Sequence, residues 1–169
     1  PNLRKQAKPI TYFLIKNEEQ AMINLVTLLL KDLVEKGTIG EVRAIRSTFL
    51  ARTRPRQEMR PEMGWRYDPA RGGGCLYDLG CYNIHHARFI TDLEPTTVFA
   101  RGERHPVCGI HDQVAILLEF PGGVTAEISA GYGFRYSQYA EIHGTEDTCG
   151  PNGRGTTRTC PPLWRRDST

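Results

Sequence analysis

The chain has 169 residues, 39% of them hydrophobic and 24% charged, which is enough for one domain with a packed core and too little for two full domains. No apolar run approaches the ~20 residues that cross a bilayer, and residues 1–9 are too polar for a secretory leader, so the chain is expected in the cytoplasm. The net charge is a modest +3, and the five cysteines lack CxxC spacing; neither a disulfide framework nor a structural zinc site is suggested, and most thiols read as free.

The first element opens at Asn17, an N-cap candidate followed three residues later by Gln20, with Glu18 and Glu19 placed to favour the helix dipole. Met22, Leu25, Leu29 and Leu33 recur at helical spacing, Val26 and Leu30 widen that stripe, and Lys36-Gly37 supplies a cationic last turn and a stop. Strand character follows at 41–51. The next stretch crowds Arg52, Arg54, Arg56, Arg60, Arg66 and Arg71 into one loop. Such a patch fits either a solvated loop or contact with an anionic ligand; no aromatic is interleaved as stacking on nucleic-acid bases would need.

Gly72-Gly73-Gly74 leads into a second helix at 75–91. At 100° per residue, Leu76, Leu79, Gly80, Ile84, Ala87 and Ile90 form one apolar arc, with Asp78, Tyr82, His85 and Phe89 on the other side. The arc should lie on a sheet, whose remaining strands fall at 96–101, 113–120, 124–132 and 139–143. Pro121-Gly122-Gly123 makes a hairpin turn between two of them. Alternation of Val124, Ala126, Ile128 and Ala130 with Thr125, Glu127 and Ser129 marks a strand with one buried face. The expected fold is therefore α+β, an open and mainly antiparallel sheet with helices packed on one face. From about residue 148 the chain is rich in Gly, Pro, Thr and Arg without period and reads as an irregular tail.

Asp78 and Tyr82 stand four apart, so a helix brings a carboxylate and a phenol to one face, with His85 a turn further on. The set suits alcohol–carbonyl interconversion, the phenol handling a proton while the carboxylate orients a hydroxyl. The same spacing also fits an ordinary surface pair. Cys81 and His85 share the interval but fall short of the three protein ligands that a zinc site wants. His111 and Asp112, just before a strand, fit either a ligand contact or a sheet-edge cap. The three glycines would permit close backbone approach and expose amides at a positive helix end.

The string WRYDPARGGGCLYDLGCYNIHHARFI at 65–90, preceded by KGTIGEVRAIRSTF at 36–49 and followed by LEPTTVFA, GIHDQVAILLEFPGG and EIHGTED in order, resembles the C-terminal domain of the glucose-fructose oxidoreductase, inositol dehydrogenase and MocA family. The resemblance implies an NAD- or NADP-dependent oxidoreductase acting on a sugar, polyol or dihydrodiol, with a separate Rossmann domain for the cofactor and an open sheet that forms a homo-oligomer. It implies Asp78 as the residue that positions substrate and Tyr82 as proton donor or acceptor. Trp65, Arg66 and His85 are candidate substrate contacts. Lys8, in Ala7-Lys8-Pro9, matches the catalytic lysine of the family's Glu-Lys-Pro motif, with Ala7 in place of the glutamate.

No GxGxxG occurs in the chain, so the dinucleotide has no evident seat. The expected division is a helical segment at 1–37, a remnant of the nucleotide-domain junction; a substrate and oligomerisation domain at 38–147; and the tail at 148–169, in a truncated gene product. The alternative is a noncatalytic sugar-binding or dimerisation module. No nucleic-acid or membrane partner is expected.

Overall fold

The computed structural model describes residues 18–150. Two helices, α1 (Glu18–Glu35) and α2 (Cys81–Thr91), accompany six strands, β1 (Val42–Ala51), β2 (Thr97–Arg104), β3 (His111–Glu119), β4 (Thr125–Tyr132), β5 (Ser137–Gly144) and β6 (Thr148–Cys149). The strands form one sheet in the order β2-β3-β4-β1-β5-β6. Neighbours are antiparallel except β1 and β4, which run parallel with Ile45 opposite Ala126 and Thr48 opposite Ser129. The architecture is the expected α+β open sheet.

The strands β3 and β4 alternate because one face meets the helices and the other does not. Val114, Ile116 and Leu118 on β3, Ala126, Ile128 and Ala130 on β4, and Ile45 on β1 are buried. The helix α2 and the turn before it lie across β1, β3 and β4 and contribute Leu79, Ala87 and Ile90 to that core. The hairpin at Pro121–Gly123 joins β3 to β4 as expected, Gly122 and Gly123 both at φ +79°.

Several expectations need correction. The second helix is not a single α-helix from residue 75, because Leu76–Gly80 forms a π-turn before α2 begins. Gly80 sits in that turn close against β4, where an added Cβ would stand 3.2 Å from the Leu76 side chain and 3.7 Å from Ala130. The wider turn thus brings the chain down onto the sheet. On α1 the inward face is Val26, Leu30, Lys31, Leu33 and Val34, while Leu25, Leu28 and Leu29 are exposed; Met22 lies outside the described side chains. The stripe is rotated because α1 packs on α2 rather than on the sheet, and Lys31 sets its orientation. Lys31 Nζ donates to the Ile90 carbonyl at 3.2 Å and pairs with Asp92, the left-handed residue that ends α2. The proposed tail is also not wholly irregular: Thr148 and Cys149 pair with His143 and Ile142 to make β6.

The uncovered face mixes ionic, polar and apolar groups. Along it run Arg46, paired with Glu127 at 3.1 Å, then Thr48, Ser129, Tyr139 and Arg101, with Phe99 and Leu117 as its larger apolar groups. No helix among the described residues is long and apolar enough to cross a membrane.

Candidate functional site

The Arg-rich loop between β1 and the π-turn is a chain of single 3-10 turns at Arg56–Glu58, Pro61–Met63, Trp65–Tyr67 and Pro69–Arg71. It is fixed at one end by Arg56, whose guanidinium donates to the buried Asp112 carboxylate, to Glu103 at 3.2 Å and to the Arg104 carbonyl at 3.3 Å. The buried His105 adds a second tie. Its Nδ1 accepts the Val107 and Cys108 amides, so Nε2 carries the proton and donates to the Arg56 carbonyl at 2.7 Å. Asp112 thus anchors this loop rather than meeting a ligand. The basic patch is in part internal structure: Arg56, Arg60 and Arg66 all spend donors within the chain.

At the other end the glycines close the loop. A Cβ on Gly73 would fall 2.5 Å from the Trp65 carbonyl oxygen and 2.7 Å from those of Arg66 and Asp68. Only glycine fits inside that ring of backbone oxygens. The Gly73 amide donates to Asp68 at 2.9 Å and the Gly74 amide to Arg66 at 3.0 Å. These amides are spent within the loop, so the expectation that they are exposed at a helix end is not met; the triad serves to bring Trp65 and Arg66 back over the π-turn.

That return builds the site. Arg66 Nε donates to Asp78 Oδ2 at 2.8 Å, and the Tyr132 hydroxyl, from the end of β4, donates to the same oxygen at 3.0 Å. The Asp78 side chain is 13% exposed and Tyr132 is 3% exposed. Burial, together with the Asp78 charge, pushes the Tyr132 phenol well above its ordinary value, which keeps it a donor. The hydrogen bond to Asp78 raises the Arg66 guanidinium further, and its plane lies 4.9 Å from the Trp65 ring centroid.

Tyr82 is half exposed and tilts against Phe49 at 6.2 Å, and Phe49 meets Tyr136 edge-on at 6.4 Å. Asp78, Tyr82, Trp65 and Arg66 line a single cleft of about 570 Å³, with Phe49 and Tyr136 on its walls. Four of the sequence candidates therefore meet. Asp78 makes no hydrogen bond to Tyr82; the two face a common space.

His85 does not join them. It stacks on Phe89 at 6.5 Å and is absent from the cleft lining. Seven residues beyond Asp78 means about 10 Å along a helix axis, and the π-turn further shifts the angular register. Lys8 lies outside the described residues. Sequence reading missed Tyr132, Phe49 and Tyr136. Tyr132 carried a signal, a phenol ending the apolar stripe of Ala126, Ile128 and Ala130, because a buried phenol must find a hydrogen-bond partner. Among the described residues no group of three or more His, Cys, Asp or Glu is arranged to hold a metal.

The GFO/IDH/MocA C-terminal domain model matches residues 27–149. An uncharacterized oxidoreductase of Rhizobium meliloti is 39% identical over 114 residues, covering 68% of this chain and 32% of that protein. The NADP-dependent D-xylose 1-dehydrogenase of Haloarcula marismortui is 30% identical over 126 residues, covering 69% of this chain and 33% of its own. A levoglucosan dehydrogenase solved with NADH and levoglucosan superposes with a TM-score of 0.64 at 24% identity over 72% of this chain and 35% of the other, a likeness of fold. The chain thus spans about a third of the length of the curated relatives it matches. With its sheet, its glycine-closed loop and its matched segment, the chain belongs to the GFO/IDH/MocA family and carries that family's C-terminal domain.

Proposed function

We propose that the chain is the substrate-binding part of an NAD(P)-dependent oxidoreductase that interconverts alcohol and carbonyl on a sugar, polyol or diol. The observation that carries the reading is the meeting of Asp78 and Tyr82 on one aromatic-walled cleft, with the carboxylate held by two internal donors. In this reading Asp78 accepts a hydrogen bond from a substrate hydroxyl and fixes the ring, Trp65 and Phe49 exclude water from its apolar face, and the Tyr82 hydroxyl exchanges the proton of the reacting oxygen. Nicotinamide supplies or accepts the hydride when bound. The described residues contain no strand, glycine turn and helix that would seat a dinucleotide. Lys8 joins the same proton path in this reading, by its match to the family motif.

Supplied with a relative's nucleotide domain, the Tyr82→Phe enzyme should turn over ~10²–10⁴-fold more slowly at nearly unchanged cofactor affinity, because the ring is kept and only the proton is lost. Near-full turnover by that variant would overturn the assignment.

The homo-oligomer through the uncovered sheet face and the cytoplasmic setting belong to the same proposal. The first is supported by Phe99 and Leu117 among charges of both signs, the second by the free thiols Cys75, Cys81 and Cys108.

A further inference from the structure

Arg66 and Tyr132 both donate to Oδ2 of Asp78, at 2.8 and 3.0 Å, although one comes from the glycine-closed loop and the other from the floor of the sheet. An exposed carboxylate rotates freely and shares its donors between both oxygens. Here the two donors reach one oxygen from different elements, and that pins the plane of the group. Tyr132 is itself held by burial and by the Tyr67 ring at 6.0 Å, and Arg66 by the Trp65 ring beneath it. Neither donor swings away cheaply. The other oxygen, Oδ1, makes no hydrogen bond among the described residues and belongs to a residue that lines the cleft.

We propose that Arg66 and Tyr132 are positioning residues that divide the labour of Asp78: Oδ2 is committed to the protein and Oδ1 is the acceptor for a ligand hydroxyl. Asp78 is thereby a fixed acceptor and takes no part in proton transfer, which falls to Tyr82 with Lys8. The role in chemistry rests on the oxidoreductase reading above, whereas the arrangement of the carboxylate does not. The assignment also changes Arg66 from a substrate contact into a support.

The test uses the chain as it is, with carbon-13 label in the aspartate carboxyls and the Asp78 signal identified by its loss in Asp78→Asn. Tyr132→Phe and Arg66→Gln should each shift the Asp78 carboxyl signal away from its parent position, since each removes a donor to Oδ2. Both keep the bulk of the side chain, and near-ultraviolet circular dichroism checks the packing. A change in packing without movement of the Asp78 signal would mark a merely structural role and overturn the proposal, as would movement in only one of the two variants. A cyclic polyol such as myo-inositol, added at millimolar concentration, should then shift the Asp78 signal in the parent and shift it less in Tyr132→Phe. If both variants move the signal as expected but the polyol leaves it unchanged in the parent, the carboxylate arrangement stands and the oxidoreductase reading fails.

Discussion

His86 sits on α2 with both ring nitrogens buried and no hydrogen-bond partner among the described residues. Burial lowers it from 6.5 to about 4, with the neighbouring His85 adding to the effect. The folded state therefore prefers the neutral ring, and between pH 6.5 and 4 the unfolded chain binds the extra proton. Stability should be level above about pH 6.5 and fall as pH drops through that window, by up to about 3 kcal/mol from this group alone. Urea midpoints measured from pH 7.5 to 4 should show the decline, and His86→Phe should flatten it; an unchanged slope in the variant would place its origin elsewhere. At this scale the meeting of Asp78 and Tyr82 on one cleft was legible, because the two are four apart and about one turn decides their relation. Tyr132 was not, since its bond to Asp78 spans 54 residues and no local pattern encodes a contact made across a sheet. The glycine triad was visible but misread: close approach was right, yet the partners are the carbonyls of the loop itself.

The two helices meet through a charge. Lys31 is buried on α1 and donates to the Ile90 carbonyl at the end of α2, beside Asp92 and with the Phe89 ring 5.9 Å away. A cation there satisfies an orphan carbonyl and the negative end of the helix dipole together. Lys31→Met keeps the buried stem and loses the cap. It should cost about 1–2 kcal/mol, read as a lower denaturant midpoint at constant slope. Loss of the Asp92 partner by Asp92→Asn should cost less, because that carboxylate is 72% exposed. This bond also explains why the apolar stripe of α1 was assigned one face away. Leucine spacing finds a helix and its period, but Leu25 and Leu29 compete with Leu30 and Leu33 for the inner face. A lysine buried by a distant carbonyl breaks the tie, and periodicity counts it as polar. The π-turn at Leu76–Gly80 escaped for a related reason: one extra residue in a turn leaves the composition helical while shifting every later side chain, and His85 fell outside the cleft.

Over the whole molecule, the strands could be read from alternation and turns, but their order could not. The parallel pairing of β1 with β4 joins segments some eighty residues apart, and its register depends on which faces the helices cover. What the alternation did fix is that one face stays open. That face mixes the Arg46–Glu127 pair, Thr48, Ser129 and Tyr139 with Phe99, which is 58% exposed. Association through it would therefore be driven by a few apolar groups and oriented by charge, the usual anatomy of a specific interface. A two-fold contact brings the same patch to itself, so Arg46 of one copy and Glu127 of the other are suited to exchange partners. The chain at tens of micromolar should sediment as a dimer. Phe99→Asp, which replaces an already exposed ring and leaves the core untouched, should give a folded monomer with an unchanged circular dichroism spectrum. Raised salt alone should weaken the dimer modestly, because exposed pairs are screened. A parent chain that is monomeric at that concentration, or a Phe99→Asp variant that stays dimeric, would remove the open face as the site of association.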